Sequence, residues 1–109
     1  MTVTATDIRN AAAKLEGKII RTPFIEAPML SRILGCDLTL KLENLQHTSS
    51  FKARGAYIAM QALDEVSRQR GVITMSAGNH AQAVAYHASK MGIPATIVMP
   101  AQTPFAKVS

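Results

Sequence analysis

The sequence runs to 109 residues, of which 48% are hydrophobic, the length of one ordinary domain and too apolar for a disordered tail. A net charge of +5 suggests a basic surface, but Lys41, Lys52, Arg54, Arg68 and Arg70 are spread over several predicted elements, which gives little support to nucleic-acid binding. Cys36 is the single cysteine, so an intramolecular disulfide and a thiolate metal cluster are both excluded.

The opening "MTVTATDIRNAAAKLEG" has no basic leader followed by an apolar run, and no stretch approaches membrane-spanning length, so a cytoplasmic protein with no membrane partner is expected. Ile8, Ala11, Ala12 and Leu15 recur at helical spacing behind Thr4 and Thr6, either of which suits an N-cap, and Gly17 can close the helix. "RTPF" reads as a turn, and "PMLSRILG" as a short helix between Pro28 and Gly35. In "DLTLKLE" three leucines alternate with polar residues, the period of a strand with one buried face. "NLQHTSS" is a polar loop.

From Phe51 to about Arg70, the spacing of Ala56, Ala59, Met60, Leu63 and Val66 predicts one helix, with Asp64 and Arg68 as a supporting i,i+4 pair. "GVITM" predicts a strand, "SAGN" a turn, "HAQAVAYHASKMG" a helix and "PATIVMP" a second strand. Strand, helix and strand make a βαβ unit with a parallel pair, so the fold class is α/β. Thr103 and Pro104 predict the start of one more helix. Met60, Met75, Met91 and Met99 read as core filler, and His87 as ordinary helix surface or packing.

Two stretches carry chemistry. In "SSFKARGAY", Ser49 and Ser50 can cap the following helix, placing Lys52 in its first turn. The positive end of the helix dipole, and burial beside Phe51, would both favour an uncharged and therefore nucleophilic amine. Arg54 lies roughly 200° further round the helix, so the two charges need not share a face. Spacing alone is equally satisfied by a solvated surface lysine. In "SAGNHAQ", the N–H groups from Ala77 to His80 open a helix after a strand and can converge on an anion. Gly78 allows close approach of a ligand, Ser76 and Asn79 add donors, and the turn lies at the carboxyl end of a parallel strand. An ordinary strand-to-helix turn fits the same residues. His47, His80 and His87 lack metal-ligand spacing with partner ligands, and neither a Walker nor a dinucleotide glycine motif is present.

Taken together, "TPF", "LKLENLQHTSSFKARGA", "SAGNHAQ", "IPATIVMP" and "TPFAKV", in that order, resemble the N-terminal part of a pyridoxal-phosphate (PLP) enzyme of the tryptophan-synthase-β type, specifically the threonine/serine dehydratases. The resemblance implies a three-layer parallel-sheet PLP fold, with residues 1–109 as the N-terminal part of the catalytic domain. It implies that Lys52 forms the Schiff base with PLP, that Phe51 packs on the pyridine ring and that Asn79 bonds the phenolic oxygen. The loop of Ser76, Ala77, Gly78, Asn79 and His80 would hold the substrate carboxylate. The implied reaction is β-elimination on a small amino acid, with Lys52 also taking the α-proton. A homo-oligomeric parent is expected, and no nucleic-acid partner. Serine racemases are similar but commonly have a serine where this loop has Ala77, which favours dehydration. Sulfhydrylases of the same fold usually have a threonine at the position of His80. Hydroxyaspartate dehydration and a non-catalytic piece of the fold remain alternatives. The six glycines include no adjacent pair, whereas the family holds the PLP phosphate with a glycine-rich loop further downstream, so the chain is expected to be a fragment.

Overall fold

A computed structural model describes residues 2–104. The first helix, α1 (Ala5–Leu15), opens on a reciprocal cap: the Asp7 N–H donates to the Thr4 hydroxyl, and the Thr4 N–H donates to the Asp7 carboxylate at 2.8 Å. A three-residue strand, β1 (Phe24–Glu26), leads into α2 (Pro28–Leu34), which Gly35 ends at φ 67°. Strand β2 (Thr39–Lys41) pairs antiparallel with β1, Ile25 opposite Leu40. The alternating leucines thus mark a shorter strand than expected, and its partner β1 begins at Phe24, the last residue of the segment read only as a turn.

The stretch read as one helix is two, α3 (Lys52–Gln61) and α4 (Glu65–Arg70). Asp64 does not pair with Arg68. Its carboxylate accepts the Ser67 N–H at 2.7 Å and caps α4, while the Arg68 guanidinium donates to the carbonyls of Gln61 and Leu63, both at 3.1 Å. Each residue satisfies backbone groups that a helix break would otherwise leave without partners, and this stabilises the break.

Strand β3 (Val72–Met75), helix α5 (Asn79–Met91) and strand β4 (Ala95–Val98) form the expected unit, with β3 and β4 parallel and Val72 opposite Ala95. Gly92, at φ 65°, closes α5. The core lies where α3 meets α5: Ala56, Met60, Ala83, Val84, Ala88 and Ile93 are buried together, with Leu63, Val72 and Met91 packed against them. Small side chains on both helices let their backbones approach closely.

Successive residues of a strand face opposite sides. Val72 and Thr74 are half-buried, whereas Ile73 and Met75 are 74% and 81% exposed on the other face. Met75 is therefore not core filler, although Met60 is. Among the described residues, one face of this pair is covered and the other is bare. The helix expected after Thr103 falls on residues outside those described; Thr103 itself bonds back to the Pro100 carbonyl through both N–H and hydroxyl. No helix among the described residues is long and apolar enough to cross a membrane.

Candidate active site

Lys52 is the first residue of α3, as expected, but the serines before it do not cap that helix. Phe51, itself in helical geometry, is the boundary residue, and no side chain caps the end. Ser50 is 6% exposed, and its hydroxyl has no hydrogen-bond partner among the described residues; neither has the Thr48 hydroxyl. The approach to Lys52 is strained, because Thr48 and Ser49 sit at φ 58° and 53°, a region that costs non-glycine residues about 1 kcal/mol each or more.

Two polar residues that sequence reasoning did not single out hold this loop. Gln46 is buried; its Oε1 accepts the Ile20 N–H at 2.9 Å, and its Nε2 donates to the Ile20 carbonyl at 2.7 Å. Glu43 accepts two bonds from Arg54 on α3 and a third, at 2.6 Å, from the buried Thr22 hydroxyl. The Arg54 guanidinium holds the Glu43 carboxyl down at about 2, and the Arg54 pKa is raised in return. The only sequence signal for these roles was that Glu43 follows a strand and Arg54 shares a helix with Lys52.

The side chains of Phe51 and Lys52 are both exposed, Phe51 at 61%, so the burial expected for this amine is not found. Its Nζ lies 5.3 Å from the centroid of the Phe51 ring. At the second motif, Ser76, Ala77 and Gly78 are half-buried, while Asn79 and His80 are exposed at the first turn of α5. The Ser76 hydroxyl accepts the Gly78 N–H at 3.2 Å, so one N–H of the expected anion site is engaged within the turn. Space beside Gly78 is open: a Cβ built there would meet nothing within 4 Å.

A cavity of about 510 Å³ is lined by Phe51, Lys52, Arg54 and His80, with Val72 to Thr74 of β3 and the apolar side chains of the α3–α5 core beyond them. It joins the two motifs through His80; Ser76, Ala77, Gly78 and Asn79 do not line it. Of the other histidines, His87 is buried and His47 stacks on Tyr86 at 4.9 Å. No metal-binding cluster occurs among the described residues. An amine and an open aromatic face at one cavity suit a flat aromatic aldehyde, and in that respect the residues present fit PLP.

The family of pyridoxal-phosphate-dependent enzymes matches residues 15–109, and the chain belongs to it. The L-threonine ammonia-lyase of Thermotoga maritima is 48% identical over 107 residues, which cover 98% of this chain and 27% of that protein. An L-threo-3-hydroxyaspartate ammonia-lyase from a Pseudomonas species is 47% identical over 103 residues, 94% of this chain and 32% of its own. Among solved structures, maize serine racemase superposes with a TM-score of 0.90 at 39% identity, over 99% of this chain and 33% of that one. The α/β PLP fold is thereby shown. The chain spans between about a quarter and a third of the length of the relatives it matches.

Proposed function

We propose that this chain is the N-terminal part of the catalytic domain of a PLP-dependent ammonia-lyase that converts L-threonine, and also L-serine, to a 2-oxo acid and ammonia. The observation that carries the proposal is the cavity in which Phe51 and Lys52 of one motif meet His80 of the other. The identity to the Thermotoga maritima L-threonine ammonia-lyase supports the choice of substrate.

Lys52 anchors the cofactor through its amine and, once free, takes the proton from the substrate α-carbon, both roles requiring an uncharged Nζ. PLP, when bound, supplies the electron sink for the pair left on that carbon. Phe51 offers its open ring to one face of the pyridine, and Asn79 a side-chain amide to the phenolic oxygen. The turn from Ser76 to His80 receives the substrate carboxylate, with the open flank of Gly78 letting it reach the backbone. The β-hydroxyl leaves as water, and water returns when the product is hydrolysed, so threonine yields 2-oxobutanoate and ammonia with no external oxidant. The enzyme works as a cytoplasmic homo-oligomer, with the phosphate held by residues beyond this chain.

Serine racemisation is the second reading, supported by the likeness to the maize racemase. Ala77 weighs against it, since a methyl group stands where a racemase-like loop has a hydroxyl. The experiment is borohydride reduction of the full-length protein with PLP, followed by peptide mapping and assay of 2-oxobutanoate and D-serine. Label on Lys52 with 2-oxobutanoate formation is expected; label on Lys41 or Lys90 instead would overturn the assignment.

A further inference from the structure

The buried histidine of α5 is not used in the proposed reaction, yet it bonds the residue that immediately follows Lys52. His87 is 2% exposed, and its Nε2 lies 2.8 Å from the Ala53 carbonyl oxygen, across 34 residues of sequence. A carbonyl only accepts, so Nε2 carries the hydrogen and donates. Ala53, fully buried, immediately follows Lys52.

Around the imidazole, Tyr57 of α3 meets the ring edge-on at 5.4 Å and Tyr86 of α5 at 5.0 Å. His47, from the loop leading into Lys52, stacks on Tyr86, and the Lys90 ammonium lies 5.9 Å from the centroid of the Tyr86 ring. Burial, and to a lesser degree the neighbouring His47, push the His87 pKa down from its usual value against the pull of the Ala53 carbonyl. A neutral ring with one defined donor is the consequence. His87 also lies two helical turns beyond His80 on α5, so its bond fixes the helix that carries one motif against the helix that carries the other.

We propose that His87 is a positioning residue: its hydrogen bond to the Ala53 carbonyl sets where the first turn of α3 holds the Lys52 amine relative to the Ser76–His80 turn. The inference rests on the reading of Lys52 given above. A buried methionine of similar size could fill the space but could not donate, and the first turn of α3 has no side-chain cap to replace the lost tie.

The test compares His87→Met and His87→Gln in the full-length holoenzyme with wild type. The readouts are the borohydride-fixed PLP label on Lys52 as a fraction of all lysine label, kcat and KM for threonine, and melting temperature. Glutamine can place an amide N–H near the position of Nε2. In His87→Met the Lys52 label and kcat are expected to fall on the order of tenfold, with KM little changed, as misplacement of about 1 Å can cause. His87→Gln is expected to restore both to within about threefold of wild type. Unchanged label and kcat in His87→Met, or equal losses in both variants, would overturn the inference while leaving the role of Lys52 intact. Absence of wild-type label at Lys52 would overturn the reading of Lys52 and the inference together. If His87→Met does not fold, His87→Asn replaces it, because its shorter amide falls short of the carbonyl. Loss in Asn with retention in Gln then supports the proposal, and equal behaviour overturns it.

Discussion

Arg54 and Glu43 meet at two points, Nε to Oε2 at 2.9 Å and Nη2 to Oε1 at 2.7 Å. The pair joins the first turn of α3 to the loop after β2, and the Thr22 hydroxyl completes the carboxylate's shell. Lys52 is thus bracketed, with Arg54 tied to the loop on one side of the helix and Ala53 tied to α5 on another.

Glu43→Gln is expected to destabilise the full-length protein by about 2 kcal/mol near neutral pH, because a two-point charged pair is lost while the guanidinium stays half-buried. The Glu43 carboxyl titrates at about 2 in the folded chain against an ordinary value of 4.5. The unfolded chain therefore binds the extra proton first as pH falls. The stabilisation is complete above about 4.5 and disappears as pH drops toward 2. Urea unfolding at several pH values checks this: the gap between wild type and variant should be widest near neutrality and narrow below about pH 4.

Gly71→Ala is expected to cost roughly 2–4 kcal/mol. Gly71 sits at φ 89° and ψ −175°, a conformation nearly confined to glycine. A Cβ there would also strike the Pro94 carbonyl oxygen and come within 2.9 Å of the Pro94 Cβ, next to the bond from the Val72 N–H to that same carbonyl. Gly55→Ala is the contrast, since it lies inside α3 with open space at the Cβ position and should be neutral or stabilising by up to about 1 kcal/mol. Thermal melts of the two variants decide between a backbone and a general glycine effect.

Gly78→Val is expected to leave the melting temperature near wild type and to raise KM for threonine on the order of tenfold, equivalent to about 1.4 kcal/mol of binding. Gly78 has extended geometry at φ −131°, which a β-branched residue adopts readily, and the Cβ position is free. The side chain would fill only the space assigned to the substrate carboxylate. An unaltered KM in a folded variant would remove the turn from the substrate site.

Where a single residue type forces local geometry, sequence and structure agree. Thr4 at the start of α1, Pro28 with Gly35, and Gly92 at the end of α5 mark their boundaries. The misreadings have two causes, side chains that satisfy the backbone rather than each other and a turn that redirects would-be caps. Asp64 and Arg68 have the spacing of an ion pair, and nothing local shows that each bonds main-chain groups at a helix break. Ser49 and Ser50 have the composition of caps, but the left-handed turn at Thr48 and Ser49 carries their hydroxyls elsewhere. For the site, the motifs located Lys52 and the glycine turn. They could not show that His80 alone of that turn would share the lysine's cavity, nor that Gln46, Glu43 and His87 support it, since those contacts join residues 11 to 34 positions apart.

The bare side of the β3–β4 pair has a thermal consequence. Ile73 and Met75 present hydrocarbon and thioether to water, so whatever comes to cover them is held by a force that is entropic near room temperature. Such a joint strengthens on moderate warming and loosens in the cold. Chilling therefore weakens the seam along this strand face.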